Sequence, residues 1–210
     1  YNMALEWDKK VAVNDRLGKV RNQRGDFHTP ERKKMDTLTA HKWETCTSID
    51  PHSWGYSKTT KKEEYKTSNQ IIDMLVDIVS KNGNLLLNIG PKADGTIPEL
   101  MKKRLLDVGE WLKINGEAIY GTTYWKTFGE GDLRFTQKEN QAIYAIALNW
   151  PEEPLNVEAL GDLDESQINS VSLLGSNEQI DWSGSSEGMS IQPPSKKPCE
   201  HAFAFKIAMK

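Results

Sequence analysis

The apolar residues of this chain change period once, near Glu117, and no single layer of secondary structure can satisfy both patterns. Before that point, apolar runs alternate with helix-spaced stripes. Val11-Ala12-Val13 stops at Asn14-Asp15-Arg16, a second run extends from Trp43 to Ile49, and Leu85 to Ile89 closes at Gly90-Pro91. Ile71, Leu75 and Ile78, with Ile72, Val76 and Val79, form a wide helical stripe. Thr67 with Gln70 reads as its capping box, and Asn82-Gly83 as its stop. Thr96 and Glu99 suggest a second capping box, with Pro98 in the first turn and Met101, Leu105, Val108 and Leu112 leading to Asn115-Gly116. Strands near 10–14, 43–48 and 84–89 and helices near 68–81 and 97–114 follow, an order that indicates a parallel α/β unit. Residues 17–42, polar and rich in Lys and Arg, read as one long loop.

After Ile119-Tyr120-Gly121 the helical period is gone. Short runs such as Ala142–Leu148, Val171–Leu174 and Ala202–Ile207 are separated by Gly, Asn, Asp, Ser and Pro. That pattern predicts an antiparallel sandwich, and the division falls into residues 1–117 and 118–210. Ser183–Pro198 is rich in Ser, Pro and Gly and reads as a loop.

Composition narrows the function classes. The chain has 210 residues, 37% hydrophobic and 27% charged, with a net charge of −3. A nucleic-acid binder normally carries a basic excess, which argues against that class of partner. No apolar run reaches the length needed to span a bilayer, so a membrane partner is not expected. Cys46 and Cys199 are too few for a disulfide scaffold or a four-cysteine zinc site. The chain opens with Tyr1-Asn2-Met3-Ala4 and reads as a piece of a longer protein, so a missing targeting segment carries no information.

In a parallel α/β unit, chemistry collects in the loops after the strands. Here those loops hold Arg16, several carboxylates, Trp43 and Trp54. Rings beside carboxylates and an Arg suit a carbohydrate, whose C–H faces stack on tryptophan. Two core tryptophans, with Arg16 paired to a structural Asp, fit the same residues. His28, His41 and His52 have no metal-ligand spacing, so no metal is expected. Cys46 reads as a small buried thiol rather than a nucleophile, and no Gly-rich phosphate loop is present, which leaves no cofactor to expect.

Four blocks, in order, carry a resemblance. They are Val13-Asn14-Asp15-Arg16, then Lys42–Ile49 with Ser53-Trp54-Gly55-Tyr56, then Asn84–Pro91, then Trp111–Tyr120. Together they resemble the α-L-fucosidases of glycoside hydrolase family 29, most of all the broad-specificity subfamily that includes the animal lysosomal enzymes. The second half resembles that family's C-terminal β-sandwich more weakly. The resemblance implies a partial (β/α)8-like barrel followed by an antiparallel β-sandwich. It further implies retaining hydrolysis of terminal α-L-fucosyl residues through a covalent intermediate, with two carboxylates about 5 Å apart. A fucosylated oligosaccharide or glycoconjugate is the implied partner, with a homo-oligomer possible. The implied location is extracellular, periplasmic or lysosomal. The family's nucleophile is an Asp on an earlier strand, which falls upstream of Tyr1, so the chain is expected to lack its own.

For the acid/base, the resemblance favours Glu31, in Thr29-Pro30-Glu31, over Glu44, which lies inside the signature. Sequence neighbours argue the other way: Arg32, Lys33 and Lys34 would lower the pKa of Glu31, while Trp43 and Cys46 would desolvate Glu44 and raise its own. Arg16 matches a sugar-contacting Arg and Trp54 the aromatic position near the fucose methyl. The alternative function is a non-catalytic carbohydrate-binding fragment.

Overall fold

The computed structural model describes residues 6, 11–17 and 25–210. Its first half is built on a parallel pair, β1 (Trp43–Ser48) and β2 (Gly83–Asn88), in register from Trp43 opposite Gly83 to Ser48 opposite Asn88. Helix α1 (Ser68–Ser80) connects them, and α2 (Glu99–Asn115) follows β2. The Thr67 capping box forms as the sequence indicates, and Asn82, at φ 71°, takes the left-handed turn into β2.

Three sequence expectations for this half change. The run 11–13 does not become a ladder strand; Asn14 makes a single parallel bridge to Phe27. The expected long loop is also interrupted, because His28 and Glu31 bridge in parallel to Trp43 and Cys46. Segments 13–15, 26–31, β1 and β2 therefore lie side by side. Gly25 permits this approach: at φ 116°, an added Cβ would lie 2.7 Å from the Asn14 carbonyl carbon. The segment was illegible because it is polar and buries no alternating apolar face. Finally, Thr96 does not cap α2. Its backbone N–H and hydroxyl turn back to Asp94 Oδ1, at 2.9 and 2.7 Å, and Pro98 stands at the N-cap.

The second half holds two antiparallel sheets. The larger contains β3 (Thr123–Glu130), β4 (Leu133–Lys138), β5 (Ala142–Ala147), β7 (Ile168–Leu173) and β10 (Phe203–Met209), in the order β3-β4-β5-β10-β7. The smaller contains β6 (Leu155–Val157), β8 (Trp182–Ser185) and β9 (Gly188–Ile191), in the order β6-β9-β8. Phe135, Ile143, Phe205, Ile207, Val157, Met189 and Ile191 close one core between the sheets, as expected for a sandwich. The expected loop at 183–198 contains the β8–β9 hairpin instead. Its Ser and Gly hide it from propensity, while Met189 and Ile191 alternate into the core.

β5 is buried at every position because both its faces are covered. Ile143, Ala145 and Ala147 face the sandwich core, whereas Ala142, Tyr144 and Ile146 join Ala202 and Ala204 against Ile72, Val76 and Trp111 of the helices. Small residues on this outer face let the helices approach closely. Trp111 Nε1 donates to the Ala202 carbonyl at 2.9 Å, and Thr136 Oγ1 donates to the Ala118 carbonyl at 2.7 Å.

An ionic node also joins the halves. Asp77 of α1 is buried; its Oδ1 accepts from Arg134 Nε of β4 at 2.7 Å, and its Oδ2 accepts from Lys81 Nζ at 2.9 Å. Lys34 Nζ lies 2.7 Å from the same Oδ2. Lys81 and Arg134 both lie over the Phe128 ring of β3. Burial pushes the Asp77 carboxyl upward, but hydrogen bonds from Lys34, Arg134 and Lys81 outweigh it and hold the pKa at about 2.

Two predictions follow from this packing. Replacing Asp77 by Asn leaves three cations around a neutral group and should lower stability by about 3 kcal/mol in urea unfolding. Because the carboxyl is depressed from 3.8 to about 2, its contribution of about 2 kcal/mol is present above pH ~4 and is lost as pH falls toward 2. The acid limb of the stability curve should therefore be flatter in D77N. Gly90 follows β2, and an added Cβ there would lie 2.4 Å from the Gly55 carbonyl carbon and 2.6 Å from the Tyr56 nitrogen. Gly90→Ala should cost about 1–3 kcal/mol and shift the Trp54–Tyr56 segment, visible as altered Trp54 fluorescence.

Candidate functional site

Strand alternation decides which side chains of β1 reach the site. Trp43 is 0% exposed. Its Nε1 donates to the Lys81 carbonyl at 2.9 Å, and its ring lies against Gly83, where a Cβ would come within 2.4 Å of it. Thr45 and Thr47 share that face. Glu44 and Cys46 are half-buried on the other face, beside Leu86 of β2. Leu86 is 51% exposed, so among the described residues nothing covers this side of the parallel pair. β2 accordingly differs from the buried strand that its Leu run suggests.

On that open face Asn14, Arg16, Thr29, Glu31, Glu44, Cys46, Trp54 and Leu86 line a pocket of about 350 Å³. All four residues singled out in the sequence meet here: Arg16, Glu31, Glu44 and Trp54. Trp43 does not, and belongs to the core.

Arg16 is held by short-range contacts. Asn14 Oδ1 accepts the Arg16 backbone N–H at 3.0 Å, an Asx turn. Arg16 Nε donates to Thr29 Oγ1 at 2.8 Å, and its Nη2 donates to the Thr29 carbonyl at 3.2 Å. Thr29 is fixed in turn by the buried carboxylate of Asp15, whose Oδ1 accepts the Thr29 hydroxyl at 2.5 Å and its N–H at 3.1 Å. The guanidinium thus aims Nη1 at Glu31 Oε2, 3.5 Å away. Arg16 pairs with a pocket glutamate, and Asp15 is linked to it through Thr29. Thr29 and Asn14 were missed in the sequence; the Asx pattern of Asn14-Asp15-Arg16 was the available signal.

The cations adjacent to Glu31 in sequence point elsewhere. Lys34 goes to Asp77. Arg32 donates to the Pro51 carbonyl and stacks over the Trp54 ring, 4.3 Å from its centroid. Trp43, on the opposite face of β1, does not shield Glu44. Strand alternation and a turn at Arg32 thus separate Trp43 from Glu44 and turn Arg32 and Lys34 to other partners, while Cys46 stays beside Glu44 in the pocket. That turn is left-handed, at φ 55°, and costs on the order of 1–3 kcal/mol in a non-glycine residue. It is held by Arg32 N–H to the Cys46 carbonyl at 2.8 Å and by Thr45 Oγ1 to the Lys33 carbonyl at 2.6 Å.

Trp54, 37% exposed, sits on the loop after β1. Asp50 Oδ1 caps that loop, accepting from His52 N–H at 2.8 Å and Ser53 N–H at 3.2 Å. Asn88 Nδ2, at the end of β2, donates to the Trp54 carbonyl at 2.7 Å. Because Arg32 covers one face of the ring, only the other is free to stack on a ligand.

The three histidines do not converge. His28 lies against His41, with ring centroids 4.1 Å apart, while His52 Nε2 lies 3.0 Å from Glu64 Oε1. Among the described residues no group of three His, Cys, Asp or Glu gathers as a metal cluster, and no helix is long and apolar enough to cross a membrane.

Comparison with known proteins places the chain in a family. A family model described as Alpha-L-fucosidase matches residues 1–117, and a second, Alpha-L-fucosidase C-terminal domain, matches residues 127–208. The chain is 39% identical over 209 residues to the tissue alpha-L-fucosidase of Homo sapiens and 36% identical over 206 residues to that of Bos taurus; in each case 94% of this chain aligns with 44% of the relative. It therefore spans about half the length of the relatives it matches. Among solved structures, a Thermotoga maritima alpha-fucosidase in complex with a mechanism-based inhibitor superposes with TM-score 0.82 at 35% identity, covering 99% of this chain and 47% of that one. Alpha-L-fucosidase isoenzyme 1 from Paenibacillus thiaminolyticus gives TM-score 0.83 at 28% identity, covering 100% of this chain and 52% of that one. With family models accounting for most of its residues, the chain belongs to the α-L-fucosidase family.

Proposed function

We propose that this chain supplies the acid/base and sugar-contacting part of an α-L-fucosidase active site. The convergence of Arg16, Glu31, Glu44 and Trp54 on one pocket supports this reading. The reaction is retaining hydrolysis of a terminal α-L-fucosyl residue from an oligosaccharide or glycoconjugate. Glu31 protonates the departing oxygen and then deprotonates the incoming water. Arg16, fixed by Thr29, holds the Glu31 carboxylate and a sugar hydroxyl. The free face of Trp54 packs against the apolar side of fucose, and Glu44 positions the sugar from the strand beneath. The nucleophilic carboxylate comes from the part of the relatives' length that this chain does not span.

The same missing part covers the open face around Leu86 and completes a (β/α)8-like barrel from residues 1–117. Residues 118–210 form the appended sandwich domain. An extracellular, periplasmic or lysosomal compartment suits an enzyme acting on glycoconjugates.

The test is made in the full-length enzyme. Glu31→Ala should lower kcat/KM for fucosides with poor leaving groups by roughly 100- to 10,000-fold, and much less for activated aryl fucosides, which leave without protonation. Azide should accelerate this variant. The intermediate is β-linked, so azide entering from the face that Glu31 vacated gives an α-fucosyl azide of retained configuration. Glu44→Ala should slow all substrates alike through lost positioning. Azide rescue of the Glu44 variant, without rescue of the Glu31 variant, would reverse the two roles.

A further inference from the structure

The segment 31–34 is pinned at both ends, and only one end lies in the pocket. At the pocket end, Glu31 bridges to Cys46 and faces Arg16. At the other end, Lys34 Nζ lies 2.7 Å from Asp77 Oδ2, on the far face of β1. Between them Arg32 holds its left-handed turn at φ 55°. Such a turn persists in a non-glycine residue only where its surroundings over-determine it. Asp77 is itself fixed from the sandwich by Arg134 Nε at 2.7 Å, and from α1 by Lys81 Nζ at 2.9 Å.

We infer that Asp77 is a positioning residue for Glu31, acting through Lys34, and that Arg134 extends this tether into the sandwich. The inference rests on the acid/base reading of Glu31. When Lys34 is released, the 31–34 segment keeps the Arg32 N–H bond to the Cys46 carbonyl and the Thr45 bond to the Lys33 carbonyl but loses its anchor beyond them. The Glu31 carboxylate then shifts relative to Arg16, while the Arg32 side chain stays on Pro51 and Trp54 and the sugar contacts of Trp54 and Glu44 remain. Proton transfer is then lost selectively and sugar binding is kept.

The Lys34 side chain is 53% exposed, so Lys34→Met removes the charge with little disturbance to packing. In the full-length enzyme this variant should lose about tenfold in kcat/KM on an unactivated fucosyl disaccharide, whose departure needs the Glu31 proton. Its kcat/KM on a dinitrophenyl fucoside, which leaves without protonation, should stay within about twofold of wild type, while kcat on that substrate falls because Glu31 also serves the incoming water. Lys34→Arg should restore the disaccharide rate, because it returns a cation to Asp77. Arg134→Lys, which keeps the charge but loosens the Asp77 contact, should show a weaker form of the same substrate dependence when assayed well below its lowered thermal midpoint.

Equal loss of kcat/KM on both substrates, or no loss on the disaccharide, overturns the inference, as does a failure of arginine to rescue. Glu31→Ala measured in the same series separates the two readings. If it shows the leaving-group dependence and Lys34→Met does not, only the tether is wrong. If Glu31→Ala itself lacks that dependence, the acid/base reading falls and the tether with it.

Discussion

The six residues of β1 divide the first half of this protein into a packed side and a chemical side. Because a strand sends successive side chains to opposite faces, Trp43 is buried on Gly83 while its neighbour Glu44 reaches the pocket. Trp43 leaves no room for a Cβ at Gly83, which fixes the register with β2 and places Leu86 and Asn88. Asn88 then orients Trp54 through its carbonyl. A slip of one residue in this pairing would turn Glu44 into the helices and Trp43 into the pocket.

The helices behind β1 are held by a surface from the other half of the chain. Tyr144, Ile146, Ala202 and Ala204 form an apolar face that a free sandwich would expose to water, and α1 and α2 cover it. Two of the polar side chains in this contact share one carboxylate. Tyr144 donates its hydroxyl to Glu117 at 2.8 Å, and burial together with that carboxylate pushes the phenol well above its usual range. Lys206 Nζ meets the same carboxylate at 2.6 Å, and its hydrogen bond lowers the Glu117 pKa. A junction so matched in shape and charge lets the sandwich act on the pocket without contributing a residue to it, the route that the Lys34–Asp77–Arg134 tether uses.

Much of this was legible because it depends on local chemistry. The Thr67–Gln70 cap, the stripe of α1 and the runs of β1 and β2 follow from spacing alone. Arg16, Glu31, Glu44 and Trp54 were named from motif resemblance and loop position, and the structure brings all four to one pocket. Polar segments were less legible. The paired stretch 26–31 buries no alternating face, and β8 with β9 is built from Ser and Gly, so neither carries a periodic signal. The Thr96 cap failed because Asp94, two residues back, accepts the Thr96 backbone N–H that Glu99 would take in a capping box, and binds the Thr96 hydroxyl as well.

The sequence by itself determined the change of period near Glu117, the capped helix α1 with the runs of β1 and β2 around it, and the residues available for chemistry, since each of these depends on periodicity or on groups a few positions apart. The tertiary structure decided which neighbours share a face. It turned Trp43 away from Glu44, sent Lys34 to Asp77 and Arg32 to Trp54, and set Arg16 on Glu31 by way of Thr29. These outcomes depend on strand alternation, on the left-handed turn at Arg32 and on a carboxylate from α1. Each joins residues through space, and a linear pattern has no means of recording that.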